Sequence, residues 1–523
     1  LIVLRILRGT LLGIAIPAAT LAQGTGRQEP PVIDTIIVIT QDVFGSGESS
    51  SFISRIANAV HFETRPSVIS RELLFAAGSI YDSSLVAETE RNLRRLGLFR
   101  DVQIDTVTIA GRLAAVVRTA DGWTTQLYLN GRFTAGTFSW GVGLIERNFL
   151  GTATVAGLTY RDEPDRTAVT VRAGNDRVFG SSVAVRGLYD DLSDGTRGAW
   201  QIGIPYRAFA DRSSVEYDGS AGDERVLQYR NGVAQDTLQR RSFIQGGRIS
   251  AAATARTDEY LRLGLAAQFK QEAYLAGRDA GGGVPDTVTG ALGGFVEWAQ
   301  ARFRVVTHYN GFDREFDLDL SSRFLLTTWV APRAFGYERT GVGAAVDVQT
   351  GVSLGPNFAL LEGKADGLFT SAGLDSGSVW VGVTFAARPF ARNATVLHVE
   401  LGAQENIPPG FEFDLGHGKG PRLFGPHAFT GSRAVWGALE HRAFLIDEIL
   451  GILGIGVAAF VDYGGAWYTD QPSRLGGNVG VGLRVGATRA TGPNVGRLDF
   501  GYRFGEGTEG KRWAFSFGRG FSF

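Results

Sequence analysis

The chain contains no cysteine. That excludes disulfides, thiolate metal centres and cysteine nucleophiles. Methionine is absent too, and nothing in the chemistry of the chain accounts for it. Charge of one sign is also missing: 523 residues carry a formal net charge of −1, so nucleic acid is not expected as a partner. Beyond residue 24 no apolar run reaches the roughly 18 residues that a membrane helix needs. The six histidines show no metal-ligand spacing, and no metal or other cofactor is expected.

Two strings imitate catalytic motifs. Gly351-Val352-Ser353-Leu354-Gly355 spells a nucleophile elbow. That elbow needs a strand, a strained turn and a helix, and here a second strand pattern follows. "GEGTEGK", Gly505 to Lys511, approaches a phosphate loop, but Arg512 stands where Ser or Thr must hold magnesium. No enzymatic activity is expected.

What is present is glycine and alternation. The 72 glycines are about twice ordinary usage. The opening "LIVLRILRGTLLGIAIPAATLAQG" has Arg5 and Arg8 before a short apolar stretch, with small Thr20 and Ala22 at cleavage spacing. It reads as an export signal over 1–22, followed by a linker over 23–31. Residues 32–122 then predict the order β-α-α-β-β. "VIDTIIVIT" is a β-branched strand. A short helix over Phe52 to Val60 is expected. A firmer one starts at Thr64 as N-cap, with Pro66 in its first turn and a stripe of Ile69, Leu73, Ala76 and Ala77 ended by Gly78. The next begins at Asp82 or Ser83 and repeats Leu85, Thr89, Leu93 and Leu96 before Gly97. A strand pair turns at Ala110-Gly111.

From Trp123 onward the period is two. "GNVGVGLRVG" sets Val479, Val481, Leu483 and Val485 against Asn478, Gly480, Gly482 and Arg484. The ending sets Trp513, Phe515, Phe517, Phe521 and Phe523 against Ala514, Ser516, Gly518, Gly520 and Ser522. One face is apolar for about 10 residues at a time and the other carries Arg, Asp and Gly, which is the dyad repeat of a membrane barrel with a polar lumen. Closure follows, because an open edge in hydrocarbon leaves backbone groups unpaired. Nine tryptophans suit interfacial girdles. Between Trp123 and Phe523 roughly 18 to 20 segments alternate in this way. The stretch Arg212 to Gln239, with its "DGSAGDE" and "RNG" turns, is expected to be a hairpin extension beyond the membrane.

These parts together resemble the BamA/TamA-like outer-membrane assembly factors. "RPSVISRELLFAAGSIYDSSLVAETERNLRRLGLFRDVQI" resembles a POTRA core; "ERNFLGTATVAGLTY", "FVDYGGAW", "GNVGVGLRV" and "GRLDFGYRF" resemble barrel strands of that family. The resemblance implies an α+β N-terminal POTRA domain over 32–122 in the periplasm. An all-β transmembrane barrel of about 16 antiparallel strands then occupies 123–523 in the bacterial outer membrane. It implies a seam between "WTTQLYLNGRF" and "RWAFSFGRGFSF" through which unfolded outer-membrane or secreted β-rich proteins are handled. Periplasmic chaperones or lipoproteins and the lipid bilayer complete the expected partners. Ser516, Gly518, Phe521 and Phe523 match the family's C-terminal β-signal. The family's long inward loop corresponds to 407–432. Its tip departs from the pattern: Phe424, before Gly425, occupies the usual Arg slot, and Arg422 is the available guanidinium for inward Asp462. Glu440 and Arg442 point into the same lumen, while His417 and His427 read as loop packing. Assembly or insertion is the expected function. A two-partner-type secretion translocator, which usually carries two POTRA domains and a plug helix, and a passive porin remain as alternatives.

Overall fold

The computed structural model describes residues 31–41, 62–230, 232–276, 287–313, 315–450, 452–488, 495–508 and 510–520. The expected signal at 1–22, the linker up to residue 30, the helix at 52–60, Phe521 and Phe523 lie outside them.

Residues Ile33–Gln41 form a strand parallel to Arg112–Asp121, which pairs antiparallel with Phe99–Ile109. The turn between the last two sits at Ala110 and Gly111, both with positive φ. The helix Ser83–Arg95 is capped by Asp82, whose carboxylate accepts from the Ser84 N–H at 2.8 Å. Its buried Val86 and Leu93 meet Ile33, Ile69, Phe75, Leu98 and Phe99. The other helix, Pro66–Glu72, is shorter than its apolar stripe predicts. Leu73 turns to extended backbone, and Leu74 N–H donates to Thr89 Oγ1 at 3.2 Å, so bonding to the neighbouring helix replaces a further turn. Arg65, not Thr64, is its N-cap residue. Thr64 is instead held from outside the helix, by Asp121 at its N–H and by Asn148 at its hydroxyl.

The fold class read from the sequence needs correction. The barrel is a closed antiparallel ring of twenty strands, not sixteen. Each alternating segment is long enough to pair with both neighbours, so none is surplus to the wall. The hairpin Ser213–Arg230 and Val233–Ala255 is likewise wall: its first strand pairs with Gly195–Ile204 from Val215 to Asp223, and only its outer part continues as a two-stranded ribbon. The separate α+β POTRA domain is corrected too. Among the described residues there are only two α-helices, one of seven residues. With the small sheet they are fastened onto one mouth of the barrel rather than standing apart from it. Glu72 pairs with Arg177, Arg94 takes Asp317 through Nε at 2.6 Å and Nη2 at 3.0 Å, and Glu88 accepts from the Phe209 N–H at 2.7 Å.

The wall is apolar outside and polar inside. Leu127, Leu129, Leu144, Leu158 and Val481 are among its exposed side chains, while Thr170, Asp190, Arg484 and Asp499 are almost wholly covered. Two segments enter the lumen from opposite ends. One lies between Asn393–Glu405 and Arg433–Ile449 and carries the small hairpin Phe413–Leu415 and Phe429–Gly431. The other lies between Thr287–Gln300 and Ser322–Ala331, with strands Phe303–Val306 and Phe316–Asp319. Its Tyr309 packs on Phe358 at 5.1 Å and its Phe312 on Phe444 at 5.3 Å.

Asp317→Asn removes the charge of one docking pair. Truncating such a hydrogen-bonded partner costs about 1–3 kcal/mol. The substitution is therefore expected to make residues 33–121 more open to limited proteolysis, while the heat-modifiable migration of the barrel is unchanged.

Candidate functional site

The site has two parts, a short seam in the wall and a loop braced behind it. The last strand, Trp513–Arg519, pairs with its preceding neighbour at seven positions, Gly496 to Tyr502. The first strand, Thr125–Thr134, pairs with the next at ten. Between last and first the ladder has, among the described residues, two pairs, Ser516 with Thr134 and Phe517 with Phe133. Aromatic packing surrounds these two pairs. Phe133 stacks on Phe515 at 5.0 Å, Phe138 meets Phe517 at 5.9 Å, and the Phe517 ring covers Gly131 so closely that a Cβ there would lie 2.6 Å from it. On the lumen side Ser516 Oγ and Thr134 Oγ1 share a hydrogen bond of 3.2 Å. Gly518 faces the guanidinium groups of Arg132 and Arg497.

Behind this seam, alternation along Leu453–Trp467 turns Phe460 and Asp462 inward. Arg422 lies against both. Its Nε and Nη2 donate to the two Asp462 oxygens at 2.8 and 2.9 Å, its backbone N–H donates to Asp462 at 3.1 Å, and its guanidinium sits 3.9 Å from the Phe460 ring. Arg422 Nη1 also donates to Glu440. Glu440 in turn accepts from Arg442 Nε at 2.8 Å and pairs with Arg484 at 3.4 Å, and Arg484 donates to Asp499 at 2.6 Å. All six side chains are at most 1% exposed. Arg497 adds a fourth cation, 3.8 Å from Asp499, and it is the pairing of each carboxylate with guanidinium groups that makes burial of these charges tolerable. Asn478 bridges Asp462 and the Leu423 N–H.

Arg422 and Asp462 are thus brought together, with Glu440 and Arg442 in the same network. Phe424 is fully buried and packs against Phe429 at 5.1 Å, serving as an apolar wedge where an Arg was expected. Gly425 faces Ala135, in the turn of the first hairpin. Arg484 and Asp499 were legible only as inward positions of alternating strands. Tyr309, whose carbonyl accepts from Arg442 at 2.9 Å, carried no pattern signal, since it lies in an irregular run between two short strands.

The loop also reaches the far side of the seam. His417 Nε2 shares a hydrogen bond with Ser139 at 2.7 Å, and Arg132 donates to the His417 carbonyl. Burial, then the charges of Arg132 and His427, push the His417 pKa down to about 4. His427 is the opposite case. Burial disfavours its charge, but hydrogen bonds to Asp165 at 3.2 Å and Asp414 at 2.6 Å outweigh that and raise its pKa to about 9. Its ring stacks on Tyr229 at 3.6 Å.

No family model matches the chain, and no curated protein matches it either. Among solved structures the chain is similar to BamA from Haemophilus ducreyi lacking POTRA domains 1-3, with 14% identity over 93% of this chain and 85% of that one and a TM-score of 0.39. It is similar to CdiB from Escherichia coli, with 12% identity, 96% and 93% coverage and a TM-score of 0.45. It is also similar to the FrpB iron transporter from Neisseria meningitidis, with 9% identity, 81% and 88% coverage and a TM-score of 0.43.

Asp462→Asn leaves Arg422 and Glu440 unbalanced in the lumen. Breaking a buried pair in this way costs about 3–5 kcal/mol, read as a lower temperature of heat-modifiable unfolding. The two histidines set a pH window for the loop. The His427 anchor is full below its unfolded pKa of 6.5 and is lost as pH rises through about 9; the His417 anchor is full above 6.5 and is lost as pH falls through about 4. Hydrogen-exchange protection of residues 407–432 is therefore expected to peak near pH 6.5 and to drop at both pH 4 and pH 9.

Proposed function

We propose that this chain is an outer-membrane barrel that handles β-rich polypeptides by pairing them, strand by strand, with the edge at its own seam. The observation that supports this is the ladder of two pairs, among the described residues, between first and last strands, beside junctions of seven and ten. A strand edge in hydrocarbon with unmet N–H and C=O groups is unfavourable, and an incoming strand relieves it by β-augmentation. Aromatic contacts hold the lips without directional bonds, so they can part and re-form with little geometric demand. The clients would be unfolded outer-membrane or secreted proteins, delivered by periplasmic chaperones or lipoproteins. No bond is made or broken, and no cofactor is called for.

Insertion is favoured over the two alternatives by the lumen. A porin needs a standing aqueous path, and this lumen is entered from both ends by packed segments. A translocator would have to displace the Arg422 tip from three buried carbonyl and carboxylate partners, whereas lateral pairing at the seam leaves the tip in place.

The absence of native cysteine makes a direct test clean. Thr134→Cys with Ser516→Cys places two thiols at opposed positions of the seam. Oxidation is expected to stop client insertion, and reductant to restore it. Cells that assemble every outer-membrane and secreted protein at normal rates with the disulfide closed would overturn the reading. In depleted cells, broad loss of barrels supports insertion, and loss of one secreted protein supports translocation instead.

A further inference from the structure

A cavity of about 500 Å³ lies between the N-terminal helices and the inner wall of the barrel. Six arginines line it, Arg71, Arg95, Arg147, Arg172, Arg177 and Arg186, against two carboxylates, Glu72 and Asp176. Both carboxylates are already committed, Glu72 to Arg177 and Asp176 to Arg186 at 2.7 Å. Arg95 donates to the Arg207 carbonyl at 3.3 Å. Arg147 and Arg172 have no side-chain partner among the described residues, and the Nε of each is closed off from water without a hydrogen bond.

The wall is shaped to hold these two together. Arg147 is on the strand Thr137–Phe149 and Arg172 on Thr167–Asn175, with Thr154–Asp162 between them. On that middle strand Gly157 pairs with both Ile145 and Arg172. A Cβ at Gly157 would lie 3.1 Å from Arg172 Cγ and 3.3 Å from Ile145 Cγ1. The Arg172 stem therefore crosses the glycine, where any side chain would crowd it. The like charge of Arg172 bears on Arg147. Two adjacent guanidinium groups, partly buried and unmatched, are unfavourable until an anion joins them.

We propose that this cavity binds a phosphate group, with Arg147 and Arg172 as its two forks and Arg71 and Arg95 at its rim. A tetrahedral phosphate presents oxygen pairs to two guanidinium forks at once, whereas a carboxylate has one pair to give. Val68, Leu96 and Leu188 supply an apolar side for the organic part of a phosphate ester. A soluble phosphate ester and a lipid headgroup share this chemistry.

The test uses the full chain in phosphate-free detergent, titrated calorimetrically with inorganic phosphate and with glycerol 3-phosphate. A second arm holds the chain in nanodiscs with and without phosphatidic acid, with retained lipid counted by native mass spectrometry. Saturable binding in the first arm identifies a free anion, and retention only in the second identifies a headgroup. Either is expected to weaken at least ~tenfold in Arg147→Gln/Arg172→Gln, a loss of about 1.4 kcal/mol or more. Arg172→Lys keeps the charge and removes the fork, so it keeps the fold and is also expected to weaken binding. No saturable binding in either arm, or undiminished binding by a folded Arg172→Lys variant, overturns the assignment.

Discussion

The rest of the lumen depends on how Glu440 is shared. It is fully buried on a wall strand; its Oε2 is shared by Arg422 of the loop and Arg484 of the wall, and its Oε1 takes Arg442 of the wall. In a medium of low dielectric each of these charges is tolerable only while the others stay in place. The network therefore behaves as one object rather than as six side chains. It also sets positions elsewhere. Arg442 holds the Tyr309 carbonyl of the segment that enters from the opposite end, and that segment's own strand carries Asp317, the partner of Arg94 in the N-terminal helix. A continuous set of contacts thus runs from the loop tip to the small sheet at the mouth.

The seam draws on the same object. Among the described residues, two ladder pairs and a few ring contacts form a weak junction by themselves. The loop reaches past it on the lumen side, bound to Asp462 and Asn478 before the seam and to Arg132 and Ser139 beyond it. Weakness of the wall and firmness of the brace are complementary: hydrogen bonds missing between strands are offset by a loop that ties the flanking strands together.

Much of this was legible in the sequence, because alternation is a local signal. A strand with Val481 outside and Arg484 inside shows its two faces without any knowledge of its neighbours. Strand number is not local. It depends on which segments close the ring, and counting by resemblance gave too few where every alternating segment takes a place in the wall. Helix ends misled for a related reason: the stripe through Ala76 and Ala77 fits a helix, yet Thr89 on another helix captures the chain at Leu74. Arg422 and Asp462 were legible only through the family resemblance, which implies a loop-tip Arg beside an inward Asp, whereas the carbonyl of Tyr309 has no signature, since any residue has one. The place of Arg147 and Arg172 was invisible too, because the lack of a partner is a property of the assembled wall.

The barrel is stoppered twice, from opposite sides, by segments that rest on different residues: Phe424 and Phe429 above, Tyr309 and Phe312 below. If either stopper wanders, the other still blocks the bore. Clearing the bore requires both to move, and because Arg422 and Arg442 share Glu440 while Arg442 holds the Tyr309 carbonyl, the two excursions are coupled rather than independent.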